Sequence, residues 1–296
     1  TDDPTAGIHI SGGTFTPNAD NSVLLADDVV AALGTGNVVI TTGGEGSPGS
    51  EAGDILVKAS IVWEGPTTLT LSAYRDIEID NANGAQIKNI ATAMGSGHLV
   101  LRADNSGRRV GTVRFTDPGG FTGLPGVDFT ESAGTVSIYY NPLSNTQAVN
   151  PDAGEAVNPV SYAQADAYEG MSLPNFDIEV WTGPDSVLYG YMLVHNVYDL
   201  QNMQNNLLTQ PFFQRSDRRF GYALSRDIDA GLTGHPDGWI DADGDPDTTD
   251  GFAPIGMNSM FPFAGIFDGQ GHVIDGLFIN RGGTDQVGLF SWIEPV

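Results

Sequence analysis

From residue 36 to residue 140 the chain is a succession of strand-length segments in which apolar and polar residues alternate: 37–42, 54–59, 68–73, 76–80, 85–90, 98–103, 112–116, 127–130 and 135–140. Alternation such as Leu69-Thr70-Leu71-Ser72 turns one face inward and leaves the other in water. Between these segments stand Gly43-Gly44, Asn83-Gly84, Gly95-Ser96-Gly97, Asn105-Ser106-Gly107, Asp117-Pro118-Gly119-Gly120 and Ala133-Gly134. Such residues supply the positive φ angles that sharp corners need. With 39 Gly and 17 Pro spread along the chain, long helices are excluded and the fold class is all-β.

A sandwich or a barrel would share this alternation, so the choice of architecture rests on spacing. Two or three strands per roughly 20 to 30 residues match a solenoid repeat. Small residues at the corners and no obvious two-residue hairpin turn point the same way. The expectation is a right-handed parallel β-helix of roughly ten to thirteen coils, with one short packed helix and inserted loops. Residues 1–140 form β-helix coils in this reading. Residues 141–186 break the rhythm with Asn141-Pro142, Asn150-Pro151, Asn158-Pro159 and Gly183-Pro184, and form a linker or an excursion from the stack. Residues 187–296 continue the β-helix. Within them Val197, Leu200, Met203, Leu207 and Leu208 have helical spacing, Asn196 stands as the N-cap, and this is expected to be the only helix.

Two stretches resemble a known family. Gly36-Asn37-Val38-Val39-Ile40, Gly53-Asp54-Ile55-Leu56-Val57, Leu69-Thr70-Leu71-Ser72-Ala73, Leu99-Val100-Leu101-Arg102-Ala103-Asp104 and Tyr139-Tyr140-Asn141-Pro142 resemble filamentous-haemagglutinin-like exoproteins of the two-partner secretion type. Phe252-Ala253-Pro254-Ile255-Gly256, Gly265-Ile266-Phe267-Asp268-Gly269-Gln270-Gly271-His272, Gly276-Leu277-Phe278-Ile279-Asn280 and Val287-Gly288-Leu289-Phe290 look like the entry into an array of GLUG repeats. The resemblance implies a right-handed β-helix exported unfolded through an outer-membrane transporter of a Gram-negative bacterium. It also implies an adhesin, filament or biofilm-matrix role at the cell surface. Partners would be other copies or segments of the same protein and a host or matrix glycan or protein. No counterpart of the family's amino-terminal secretion domain is found, which places this stretch downstream of it. In the GLUG-like part Ile266, Phe267, Val273, Ile274, Leu277, Ile279, Val287, Leu289 and Phe290 are expected to point inward, and Gly276 to mark a corner.

The formal net charge is -25, from 37 acidic against 12 basic residues. Charge of this sign disfavours nucleic acid and anionic membrane as partners, since binding phosphates needs clustered Lys and Arg. It fits a solvated acidic surface, cation binding or life in salty water. No apolar run is long enough to span a bilayer, so membrane insertion is not expected. The absence of Cys removes disulfides, thiolate metal sites and Cys nucleophiles, and fits an exported chain.

The strongest local motif is Asp241-Ala242-Asp243-Gly244-Asp245-Pro246-Asp247-Thr248-Thr249-Asp250. Alternate carboxylates on a tight loop converge on hard cations, and Asp241, Asp243, Asp245, Asp247 and Asp250 are the candidate ligands of a Ca²⁺ ion. Gly falls at the fourth position rather than the sixth of an EF-hand loop and no Glu follows at the twelfth, so a solvated acidic insertion stays open beside the calcium reading. The five His residues stand singly, and Arg108-Arg109 and Arg215 with Arg218-Arg219 are read as salt-bridge partners of Asp. No nucleotide, hydrolase-elbow or other catalytic fingerprint appears, and no catalytic residue is assigned. The function expected is a non-enzymatic extracellular structural or adhesive segment, braced by Ca²⁺. The alternative is a β-helical polysaccharide lyase or hydrolase, with carboxylates from Asp76-Ile77-Glu78-Ile79-Asp80.

Overall fold

A computed structural model describes residues 5–43, 49–117, 123–141, 179–203, 218–235, 239, 250–256, 262–283 and 285–293. The chain opens with a hairpin, β1 (Ile8–Ser11) and β2 (Thr14–Pro17), paired antiparallel across Gly12-Gly13. Both glycines take positive φ, 55° and 82°, which is what a two-residue hairpin turn demands. This corrects the expectation that no such turn occurs. A helix, α1 (Ala26–Leu33), follows.

From there the chain lays down strands in triplets. The first pass is β3 (Val38–Thr41), β4 (Ile55–Val57) and β5 (Ile61–Glu64). The second is β6 (Thr68–Ser72), β7 (Ile77–Ile79) and β8 (Ile87–Ile90). The third is β9 (His98–Arg102), β10 (Val113–Phe115) and β11 (Val127–Phe129). The fourth begins with β12 (Thr135–Tyr140) and ends with β13 (Val180–Thr182). β13 lies inside the stretch assigned to the excursion, so the stack resumes before residue 187.

The first strands of the passes join one long sheet, β1-β2-β3-β6-β9-β12-β14-β15-β17, completed by β14 (Val187–Val194), β15 (Arg218–Leu224) and β17 (Ile266–Asp268). The second strands form β10-β7-β4 and the third form β13-β11-β8-β5. A last pair joins β16 (Ile228–Asp229) to β18 (Ile274–Asp275). Among the described strands all pairings but β1 with β2 are parallel.

In register, Val38, Leu69, Leu99, Val136 and Leu188 form one file, all with no exposed surface. Ile55, Ile77 and Val113 form a second, and Ile61, Ile87, Val127 and Val180 a third. Each large side chain so buried contributes about 1.5 to 3 kcal/mol. Parallel strands cannot be joined by tight turns, and from one rung of a file to the next the chain advances between 22 residues (Ile55 to Ile77) and 53 (Val127 to Val180). Several passes are longer than the sequence spacing suggested, and among the described residues the long sheet holds fewer levels than the expected coils.

Two helices are present among the described residues, which corrects the expectation of one. α2 (Val197–Asn202) sits at the start of the stretch where the spacing placed a helix, whose Leu207 and Leu208 lie outside the described residues, and Asn196 caps it by accepting from the Asp199 N–H at 2.9 Å. α1 escaped notice because it is a single short segment whose N-cap, Leu25, carries no capping side chain. It buries Val29 and Leu33 on β3 and β5, and its last carbonyls are served by the Thr67 hydroxyl, which donates to Leu33 O at 2.8 Å. At the other end, Phe263, Phe267 and Phe290 pack together, but Val273 and Val287, expected inward, are 59% and 50% exposed. Nothing among the described residues stacks on that last level, so its inward positions are only half covered.

Candidate functional site

Asp241, Asp243, Asp245 and Asp247 lie outside the described residues, so of the acidic motif only Asp250 can be placed. Its backbone carbonyl accepts from the Asn280 N–H at 2.8 Å, which ties the end of the motif to the last level of the stack. Among the described residues no three His, Asp or Glu side chains converge in the manner of a metal site. Arg215 also lies outside them. The two Asp carboxylates that flank β7 are occupied structurally: Asp76 accepts from the Thr112 N–H at 2.7 Å, and Asp80 from the Thr116 hydroxyl at 3.0 Å.

The densest polar chemistry is buried. Asp104 follows β9 in the left-handed region, with φ 51°, a conformation that Asp tolerates better than most residues. Its carboxylate accepts from the backbone N–H groups of Arg108 and Arg109, both at 2.8 Å, folding residues 104–109 into a tight knot. The same carboxylate accepts from Asn141 Nδ2 at 3.0 Å and faces His195 Nε2 at 2.9 Å. A carboxylate can only accept, so this ring nitrogen carries the proton. Asp199, in the first turn of α2, accepts from the His195 N–H at 3.0 Å and pairs with the Arg109 guanidinium. His195 Nδ1 stands 3.4 Å from Asp199.

Burial alone would raise the Asp104 carboxyl, but the hydrogen bond and charge of His195, with Asn141 and the Arg108 N–H, bring it below the usual carboxylate value. Asp199 is likewise pushed up by burial and brought down further by Arg109 and His195. The side chains of Arg109, Asp104, His195 and Asp199 are all at most 2% exposed. An Asp-His pair of this kind can position a proton, but here no substrate could reach it. The arrangement instead bolts the knot after β9 to the helix after β14. The salt-bridge reading of Arg109 thus holds, while the role of His195 was hidden from the sequence: its partner Asp104 is far away along the chain.

The outward face of the long sheet carries a second cluster. Arg102, Tyr139 and Tyr191 share one register position on β9, β12 and β14. The Arg102 guanidinium lies 5.7 Å from the Tyr139 ring centre, and Tyr139 stacks on Tyr191 at 4.7 Å with a 12° tilt. Tyr189 lies nearly parallel to Tyr191, 6.1 Å away. The Tyr139 hydroxyl donates to Asp268 at 3.1 Å and accepts from Gln270 Nε2 at 3.2 Å, while Arg102 donates to Gln270 Oε1 at 2.7 Å. Burial and then the Asp268 charge raise the Tyr139 phenol, which stays a neutral donor. Aromatic edges flanked by amide, carboxylate and guanidinium groups make a surface able to offer both apolar contact and hydrogen bonds.

A cavity of about 420 Å³ opens at the amino-terminal end of the stack, between the β1-β2 hairpin, α1 and β4. Phe15, Val29, Ile40, Ile55, Val57 and Leu71 line it, and Asp20, Glu51, Asp54 and Lys58 stand around it. Its mouth is pinned by Asp20, which accepts from the Ser50 N–H at 2.7 Å, and by Glu51, which accepts from the Asn21 N–H at 3.0 Å.

With this geometry in hand, comparison with known proteins adds one relative. The chain is 28% identical over 260 residues to Halomucin of Haloquadratum walsbyi (strain DSM 16790 / HBSQ001), a match that covers 86% of this chain. It spans about 2% of that relative's length. No protein-family model matches the chain, and no solved structure is similar to it.

Proposed function

We propose that this chain is a stretch of a right-handed parallel β-helix acting as an extracellular structural and adhesive segment of a much larger protein. The observation that carries this reading is the set of three parallel sheets fed in turn by the passes that begin at β3, β6 and β9, with matching files of inward side chains. A stack of this kind separates core from outer surface along its whole length, so the outer residues are free to serve contact while the inner ones hold the fold. The similarity to a relative named as a mucin supports a structural role outside the cell. The charge of -25 suits the salty setting that the names Halomucin and Haloquadratum suggest. Among the described residues no helix is long and apolar enough to cross a membrane, which agrees with that placement.

In this proposal the outward cluster of Arg102, Tyr139, Tyr189 and Tyr191 is the contact surface for a matrix glycan or protein. The acidic loop from Asp241 to Asp250 braces the segment with Ca²⁺. Filamentous-haemagglutinin-like ancestry, a GLUG-type end, two-partner export and a Gram-negative source belong to the same proposal. Electron microscopy of the native protein, with and without a calcium chelator, tests it. Elongated particles with strand layers about 4.8 Å apart that fray on chelation are expected; compact particles indifferent to chelation would overturn both the rod and its calcium brace.

A further inference from the structure

We propose that the cavity at the amino-terminal end is a docking site for an extended, basic peptide strand, which adds to the free edge of β4. At this end the three sheets are finished differently. The long sheet is extended past β3 by β2 and β1, and β5 is covered by α1. β4 is the outermost strand of its sheet. Its parallel ladder with β7 uses Ile55 and Val57: Ile55 N–H donates to Asp76 O at 2.9 Å, and Val57 O accepts from the Asp80 N–H at 2.9 Å. Backbone groups alternate in direction along a strand, so the N–H and C=O of Leu56 point away from β7. They have no partner among the described residues.

An edge that exposes unpaired amide groups is a template for one more strand, which would lie about 4.8 Å beyond β4. The inward residues Ile55 and Val57 line the cavity, so an inward side chain of the added strand falls into the space above them. That space has apolar walls and suits a branched aliphatic group. Main-chain pairing beside a side-chain pocket is how edge addition obtains affinity and selectivity together. The charge of the partner follows from the surroundings. Asp20 and Glu51 outnumber Lys58 around the opening, where Asp54 is paired with Arg75, Asp27 and Asp28 stand at the start of α1, and the whole chain is strongly acidic. A strand alternating aliphatic and basic residues complements both the cavity and its rim.

The test uses a short blocked peptide of alternating Val and Lys, its counterpart with Glu in place of Lys, and a version N-methylated on the amides that face β4. Titration calorimetry should show the Lys peptide binding and the other two at least about tenfold weaker, the scale set by one or two lost hydrogen bonds or charge contacts. Hydrogen exchange at the Leu56 amide should slow when the Lys peptide is present. Leu56→Pro removes that donor and should abolish binding. Should this variant fail to fold, Glu51→Lys, at an exposed site, should weaken the Lys peptide and strengthen the Glu peptide severalfold. Equal binding of the N-methylated peptide, unchanged exchange at Leu56, or no effect of Glu51→Lys would each overturn the proposal. So would occupation of the cavity by dodecyltrimethylammonium with no binding of the Lys peptide, which would mark a site for small amphiphiles instead.

Discussion

Arg109 holds a full positive charge at 1% side-chain exposure, and Asp199 answers it with a negative charge at 2%. Removing Arg109 takes the facing cation from Asp199 and leaves the carboxylate with its His195 contacts, in a medium that solvates it poorly. Arg109→Met should therefore cost about 3 to 5 kcal/mol, and the double change Arg109→Met with Asp199→Leu clearly less than the sum of the single ones. Urea unfolding of the three variants measures this, and additive losses would refute the coupling. Asp104 and Asp199 both have folded-state values below the ordinary carboxyl value of about 3.9. With the folded value depressed, each carboxylate adds stability above the unfolded value and loses it as pH falls through the folded one. Unfolding free energy should thus decline as pH drops below about 4, and Asp104→Asn should flatten the decline. At the opposite end Gly276 takes φ 69°, and a Cβ there would stand 3.1 Å from Gly231 Cα. Gly276→Val should lower the melting temperature, because a β-branched residue is strained in that region of φ and meets backbone that cannot yield.

At the scale of elements, α2 shows how a short helix can be fixed by what surrounds it. At six residues it is too short to persist alone. Asn196 satisfies its Asp199 N–H, Val197 and Leu200 are buried in the core, and the Asp199 side chain enters the buried cluster. Asn196→Ala should cost about 1 kcal/mol from the cap alone. The cap also orients Asp199, so a loss near that of breaking the Arg109 pair would show the two to be one unit; denaturant titration distinguishes these outcomes. α2 was readable because cap and apolar spacing coincide within a few residues. α1 was not, since Leu25 gives no cap signal and its helical state is decided by burial of Val29 and Leu33 on strands that follow it. The hairpin was missed for a related reason: Gly12-Gly13 allows a two-residue turn, but only the pairing of Ile8–Ser11 with Thr14–Pro17 selects it.

Across the whole molecule the strongest influence beyond the core is electrostatic self-repulsion, with a net charge of -25 on 296 residues. Screening shortens the reach of that repulsion to about 3 Å at 1 M salt, from about 10 Å at 0.1 M. The melting temperature should rise markedly as sodium chloride goes from low to molar concentration, as thermal scans by circular dichroism would record. A flat or falling curve would mean that paired charges, such as Lys88 with Asp128 and Glu131, outweigh the unpaired acidic surface.

The sequence by itself determined most of the strands between residues 37 and 140 and which way they face, because alternation and corner residues are local signals; the hairpin strands, β5 and the outward Val273 and Val287 were not legible in it. It determined the acidity of the surface and the position and cap of α2. Only the tertiary structure decided the register, and with it everything assembled across passes. Arg109 with Asp199, Asp104 with His195, and Arg102 beneath Tyr139 and Tyr191 are each brought together from positions tens of residues apart. Periodicity says that a side chain points inward or outward; it cannot say which rung it stands on. That choice belongs to the stacking of one strand on the next, which also makes β4 the outermost strand of its sheet among the described residues, beside a cavity.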